Sequence, residues 1–199
     1  MRLRRVAATG AAIFGLIPLV LTWSWAVLTP AAGPWRGQIV DAETGAPLAD
    51  VVVVAAWFLL SPGIHAGWHF HVAQEVVSDA AGRFELPARR VRTWIPFTGI
   101  RGPILHMLKP GYGQWGFRLP PMANPRDAVV MRELVDDAWM RLERDGAVIE
   151  MPPVRSREQR IGIHGDPPMV PGCHVPRWMA ASNAERQALG MSPFPTERC

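Results

Sequence analysis

The sequence predicts an all-β sandwich behind an N-terminal membrane-length helix, with an irregular Pro-rich C-terminal tail containing short helices. Three observations predict it. An uncharged apolar stretch from Val6 to Leu28 follows Arg2, Arg4 and Arg5. Short β-branched runs then recur between turns rich in Gly, Pro and Asp, without amphipathic helices between them. Beyond Met151 proline becomes dense, in "MPPVRSREQR", "GDPPMVPGCHVPRW" and "SPFPTERC", which confines any helix there to a short one. The expected organisation is a signal anchor or signal peptide over 1–33, a sandwich over 34–134, and a helical and Pro-rich tail over 135–199.

As a helix, 6–28 spans roughly 35 Å at about 1.5 Å per residue, enough for a hydrocarbon core of about 30 Å. The arginines hold the N-terminus in the cytoplasm, so the body of the chain is expected to be periplasmic or extracellular. Trp23 and Trp25 fall near the far interface. A cleaved signal peptide has a shorter apolar core and a small-x-small site. Here Pro30 and Pro34 crowd "LTPAAGPW", and no lipobox cysteine follows, which favours an uncleaved anchor. Both alternatives leave the rest of the chain outside the cytoplasm.

From Trp35 the period changes. "WRGQIVD" reads as a first strand and "AETGAPLA" as a turn, in a hairpin-like opening. "DVVVVAAWFLL" is apolar enough to be buried on both faces. "HVAQEVVSDAAGRFELP" supplies two strands around the Asp79–Gly82 turn, and "PILHMLKPGYGQWGFRL" two more around Pro110–Gly111. "RDAVVMREL" is expected to close the set. "ELVDDAWMRLERDG", with Leu134, Val135, Ala138, Trp139 and Leu142 at near-helical spacing, reads as a helix ending at Gly146. In the tail, Ser182 is placed to cap "NAERQALG".

Fifteen of these residues, in three ordered motifs, carry a resemblance: Gly37, Val40, Asp41, Thr44, Gly45, Pro47, Leu48 and Val51; Ser78, Asp79, Gly82 and Phe84; and Pro110, Gly111 and Tyr112. The series resembles the carboxypeptidase regulatory-like family, a transthyretin-like (prealbumin-like) β-sandwich module, over roughly residues 35–134. The resemblance implies an accessory binding module, since the zinc-bearing protease domain of carboxypeptidases is absent. Enzymes on related sandwiches are not matched. The Tyr-Arg-Gly-Ser ending of hydroxyisourate hydrolases is missing, and Tyr112 is the only tyrosine where intradiol dioxygenases use two. "LSPGIHAGWHFH" and "RRVRTWIPFTGIRG" depart from the family pattern and are expected to project as loops.

The candidate chemistry is sparse. His65, His69 and His71 form a potential metal cluster, His69 and His71 sharing one face of an extended chain, with His106 able to join if its strand is adjacent. Against this stands ordinary packing of loop histidines between Trp68 and Phe70. Trp68 and Trp94, one in each insertion, are the aromatic candidates for contacting a peptide or glycan. Cys173 and Cys199 are the only cysteines. Outside the cytoplasm they can pair, closing a loop worth roughly 3 kcal/mol in the chain-entropy model. No G-x-S-x-G occurs, and Cys173 with His174 lacks a third partner, so no catalytic set is assigned. The net charge of +4 rests on scattered arginines, Lys109 being the only lysine, which gives nucleic-acid binding no support. The expected function is non-enzymatic: an extracytoplasmic binding or assembly module, anchored through 6–28, contacting an envelope protein, peptide or glycan. The alternatives are a small metal-binding protein using the three histidines, and an accessory subunit of a larger membrane complex. No cofactor is called for beyond that metal ion.

Overall fold

The computed structural model describes residues 31–61, 67–93, 98–121, 128–144, 146–164 and 169–195. The expected membrane segment, 6–28, lies outside the described residues. Among those described, no helix is long and apolar enough to cross a membrane.

Among the described residues, nine strands and three α-helices follow one another. The strands are β1 (Ala31–Ala32), β2 (Trp35–Asp41), β3 (Val52–Ser61), β4 (Gly67–Val77), β5 (Arg83–Leu86), β6 (Arg89–Arg90), β7 (Gly99–Leu108), β8 (Gly116–Phe117) and β9 (Ala147–Met151). The helices are α1 (Ala128–Arg144), α2 (Arg157–His164) and α3 (Pro176–Ala188). A four-stranded sheet has the order β5-β2-β9-β8, a three-stranded sheet the order β4-β3-β7, and β1 pairs with β6 as a separate ribbon.

Alternation along β2 buries Trp35, Gly37 and Ile39 while exposing Arg36. Gly37 faces Phe84 across the β2–β5 pair, and a Cβ there would sit 2.8 Å from the Phe84 ring, so the ring packs on bare backbone. In β3 both faces are buried, as the unbroken run "VVVVAAWF" demands. Val51, Val53, Ala55 and Trp57 join Trp35, Ile39, Leu86, Ile149 and Met151 in one core, so the inner faces of the two larger sheets meet. Trp35 and Trp57 touch there at 5.9 Å between ring centroids. The opposite face of β3, with Val52, Val54, Ala56 and Phe58, is covered by Val170, Val175, Trp178 and Met179. Each of these side chains stabilises the fold by about 1.5–3 kcal/mol through burial.

The all-β expectation is overturned. Helices α1 to α3 account for much of the C-terminal half, and the larger sheet is mixed, because β9 runs parallel to β2, with Ile39 opposite Ile149. That strand comes from beyond residue 134, so the sheet reaches into the segment expected to be tail. Of "RDAVVMREL", expected as a closing strand, residues 128–134 instead begin α1. Its apolar positions continue the stripe through Ala138 and Leu142, the latter fully buried in the shared core. Trp139 of the same helix meets Phe117 edge-on at 5.1 Å. The 17-residue α1 lies between β8 and β9, antiparallel neighbours in the same sheet, and so brings β9 back beside β2.

Both expected hairpins are also corrected. β2 and β3 lie in different sheets, as do β4 and β5, so the "ETGAPLA" and "SDAAG" turns carry the chain from one sheet to the other. The hairpin the structure does form is β3–β4, ten paired positions long. Its arms take in Leu60, Ser61 and the stretch "GWHFH", parts of the segment expected to project as a loop. A bulge at Trp57/Phe58 lets the long ribbon twist.

In the tail, α3 starts at Pro176, and Ser182, the expected cap, is buried inside the helix. The true cap is remote in sequence. The Glu75 carboxylate on β4 accepts from the N–H groups of Arg177 (2.9 Å) and Trp178 (3.2 Å). Arg160 on α2 donates twice, at 2.7 Å, to the buried Glu185 carboxylate of α3, tying the two helices together.

Candidate functional site: the open face of the four-stranded sheet

One face of the four-stranded sheet turns into the core and the other is open. Register places Arg83 beside Gln38 and Gln38 beside Val148, while Arg118 donates its backbone N–H to the Val148 carbonyl at 2.9 Å. Arg83, Gln38, Val148 and Arg118 therefore form a row straight across all four strands. Val148, at its centre, is an aliphatic side chain left 36% exposed. Arg36 pairs with Glu85 at 3.0 Å on one side of the row, and Arg118 pairs with Glu150 on the other. The hydrogen bond from Arg36 holds the Glu85 carboxyl below the usual range. Such exposed pairs add little stability, about 0–1 kcal/mol each, but they fix where the guanidinium groups point.

Two hollows lie along this face. One, of about 560 Å³, runs between β5 and β9 past Val77, Arg83 and Gln38. Another, of about 530 Å³, lies between β8 and α1 past Arg118, Pro120 and Leu134. Gly146, Ala147 and Val148 line both, so they adjoin as one trough. Each has the volume of an ordinary ligand site. Donors (Arg36, Gln38, Arg83, Arg118) and acceptors (Asp79, Glu85) rim an apolar floor. Among the described residues that line the two hollows, none is Cys, Ser, His or Lys.

The residues singled out from the sequence lie elsewhere. His65 and Trp94 are outside the described residues. His69 is exposed on β4, while the His71 Nε2 lies 3.0 Å from the Arg92 carbonyl oxygen. His106 sits on β7, and β3 intervenes between β7 and β4. Two strand spacings, roughly 10 Å, thus separate His106 from the histidine-bearing strand. It packs against Trp178, and its Nε2 is buried without a hydrogen-bond partner among the described residues. Burial pushes its imidazole below the usual value. Among the described residues, no group of three His, Cys, Asp or Glu could hold a metal ion. Trp68 is 41% exposed at the end of the β3–β4 hairpin, with the Arg101 guanidinium stacked 4.5 Å above its ring. Cys173 is disulfide-bonded; Cys199 is outside the described residues. His174 stacks on Phe70 at 4.8 Å instead of pairing with its neighbour Cys173.

The motif residues behind the family resemblance brace the sheet-to-sheet turns. Asp41 Oδ1 accepts from the N–H groups of Glu43 and Thr44, each at 2.8 Å, and Asp41 Oδ2 accepts from the Tyr112 hydroxyl at 3.1 Å. The bond from the Thr44 N–H leads in holding the Asp41 carboxyl below its usual range. Burial, with that same carboxylate, pushes the Tyr112 phenol up. Ser78 Oγ donates to the Leu48 carbonyl and accepts from the Val51 N–H. Gly82 has φ 71°, and a Cβ there would lie 2.3 Å from the Ile39 carbonyl oxygen, so the second turn needs glycine for both torsion and space.

Sequence reasoning missed the row on the open face because half of it depends on β9. The one signal was a short, mostly apolar run, "AVIEM", bounded by Gly146 and Pro152. Comparison with family models, with curated proteins and with solved structures finds no match for the chain.

Proposed function

We propose that this protein is a non-enzymatic binding module held outside a membrane by residues 6–28, and that it grips an extended peptide segment of an envelope partner along the trough. The observation that carries the reading is the continuity of the two hollows across the open sheet face, with an aliphatic floor at Val148 and fixed donors and acceptors at the rim. An extended chain presents alternating side chains and regularly spaced amides to such a surface. The ordered motif residues shared with accessory modules of the carboxypeptidase regulatory-like type support a binding rather than a catalytic role.

Arrays of envelope-protein peptides and of cell-wall and surface oligosaccharides, presented to the purified full chain in detergent, test this. Saturable peptide binding is expected, weakened about tenfold or more by Val148→Glu, since a charge on the floor costs at least about 1.4 kcal/mol. Met169→Gln, at an exposed residue lining neither hollow, should leave it unchanged. Binding of oligosaccharide alone replaces the peptide with a glycan. Binding of neither, or binding indifferent to Val148→Glu, overturns the assignment.

A further inference from the structure

The end of the molecule that carries β1 is basic. β1 pairs with β6 so that Ala31 faces Arg90 and Ala32 faces Arg89. From Arg89 to Arg92 the chain follows β4 toward the hairpin end: the Arg89 guanidinium donates to the Ala73 carbonyl at 3.4 Å, and the Arg92 carbonyl meets His71. At that end Arg101 stacks on Trp68, while Leu60, cross-strand from Trp68, is 41% exposed. Arg89, Arg90, Arg92 and Arg101 are all exposed, and among the described residues none has an acidic partner. Elsewhere Arg36, Arg118, Arg141, Arg155 and Arg160 each hold a carboxylate, while Arg83, Arg132, Arg144, Arg157 and Arg177, also without an ion pair among the described residues, are spread over β5 and the three helices. Four arginines without an ion pair are thus gathered along the same end as an exposed indole and an exposed leucine.

Position gives this patch its meaning. Leu28, the last of the apolar stretch, stands three positions before Ala31, a reach of roughly 10 Å at full extension. That is about the depth of a phospholipid headgroup layer plus one screening length at physiological salt. We propose that this end of the fold is a membrane-contact surface, in which the four arginines bind the phosphates of anionic phospholipids while Trp68 and Leu60 enter the interfacial layer. The inference rests on the reading of 6–28 as a membrane anchor. Arginine forks suit phosphate oxygens, indole rings favour the interface, and each basic residue near an anionic surface adds about fivefold to the docked equilibrium.

The test uses the full chain reconstituted into vesicles of phosphatidylcholine, with and without phosphatidylglycerol. Alkaline carbonate extraction reads the anchor, and amide hydrogen exchange reads the docking. Retention in the membrane, with phosphatidylglycerol-dependent slowing of exchange over 67–70, 89–93 and 99–101 that molar salt reverses, supports the proposal. Combined Arg89→Gln, Arg90→Gln and Arg92→Gln should weaken that docking on the order of a hundredfold, and the salt arm needs no variant. Retention with exchange indifferent to phosphatidylglycerol overturns the docking and leaves the anchor standing. Release by carbonate overturns both. Slowing only after an acidic protein is added reassigns the patch to a protein partner and overturns the lipid assignment.

Discussion

Replacing Ile149 with alanine tests whether β9 is structural. Ile149 is fully buried, lies opposite Ile39 on β2 and Phe117 on β8, and belongs to the shared core. Deleting three buried carbon atoms from a packed aliphatic site costs about 2–5 kcal/mol, the transfer loss plus the cavity left behind. With about 3 kcal/mol as the working figure, and roughly 2–4 °C per kcal/mol for a chain of this size, Tm should fall by about 6–12 °C. Its neighbour Val148 points to the open face, so Val148→Ala should cost under about 1 kcal/mol. Thermal melts of the full chain and both variants, followed by near-ultraviolet circular dichroism to report on the tryptophan core, make the comparison. Equal melting of the two variants, or an Ile149→Ala shift within about 2 °C of the parent, would refute a central β9.

Three further outcomes are expected. His106 is held neutral by burial, so its folded pKa lies below the usual value near 6.5; the unfolded chain takes up the proton first as pH falls. Stability should therefore be flat above about pH 6.5 and decline below it, and urea midpoints across that range should lose this part of their slope in His106→Leu. Gly82→Ala introduces a Cβ 2.3 Å from a backbone oxygen at positive φ, and should lower the urea midpoint by an amount equivalent to at least about 2 kcal/mol. Removing the remote cap with Glu75→Ala should cost about 1 kcal/mol, read as faster hydrogen exchange in the first turn of α3 than in its last.

Strands were legible wherever burial is one-sided or complete. The alternation of "WRGQIVD" and the unbroken run of β3 each named their own environment, and the Asp- and Gly-bearing turns fell where Asp41, Asp79 and Gly82 bend the chain. Pairing was not legible. A turn such as "SDAAG" specifies reversal, yet the same Asp79 and Gly82 serve equally to hand the chain from β4 in one sheet to β5 in the other. The parallel union of β2 and β9 joins residues about a hundred positions apart, and nothing local in "AVIEM" announces its partner. For the same reason the open-face row was invisible: Gln38 and Val148 become neighbours only through that union. Charge told a different story. The arginines read as scattered along the sequence, and the placement of Arg89, Arg90 and Arg92 toward Trp68 and the β1 ribbon required the fold.

The central claim is that a strand from the C-terminal third completes the sheet whose outer face receives the partner. Hydrogen exchange of the full chain reads this directly, strand by strand. The account predicts that amides of 147–151 exchange as slowly as those of 37–41, with both sets limited by global unfolding. Exchange at 147–151 as fast as at the exposed Gln114, while 37–41 stays protected, would contradict it.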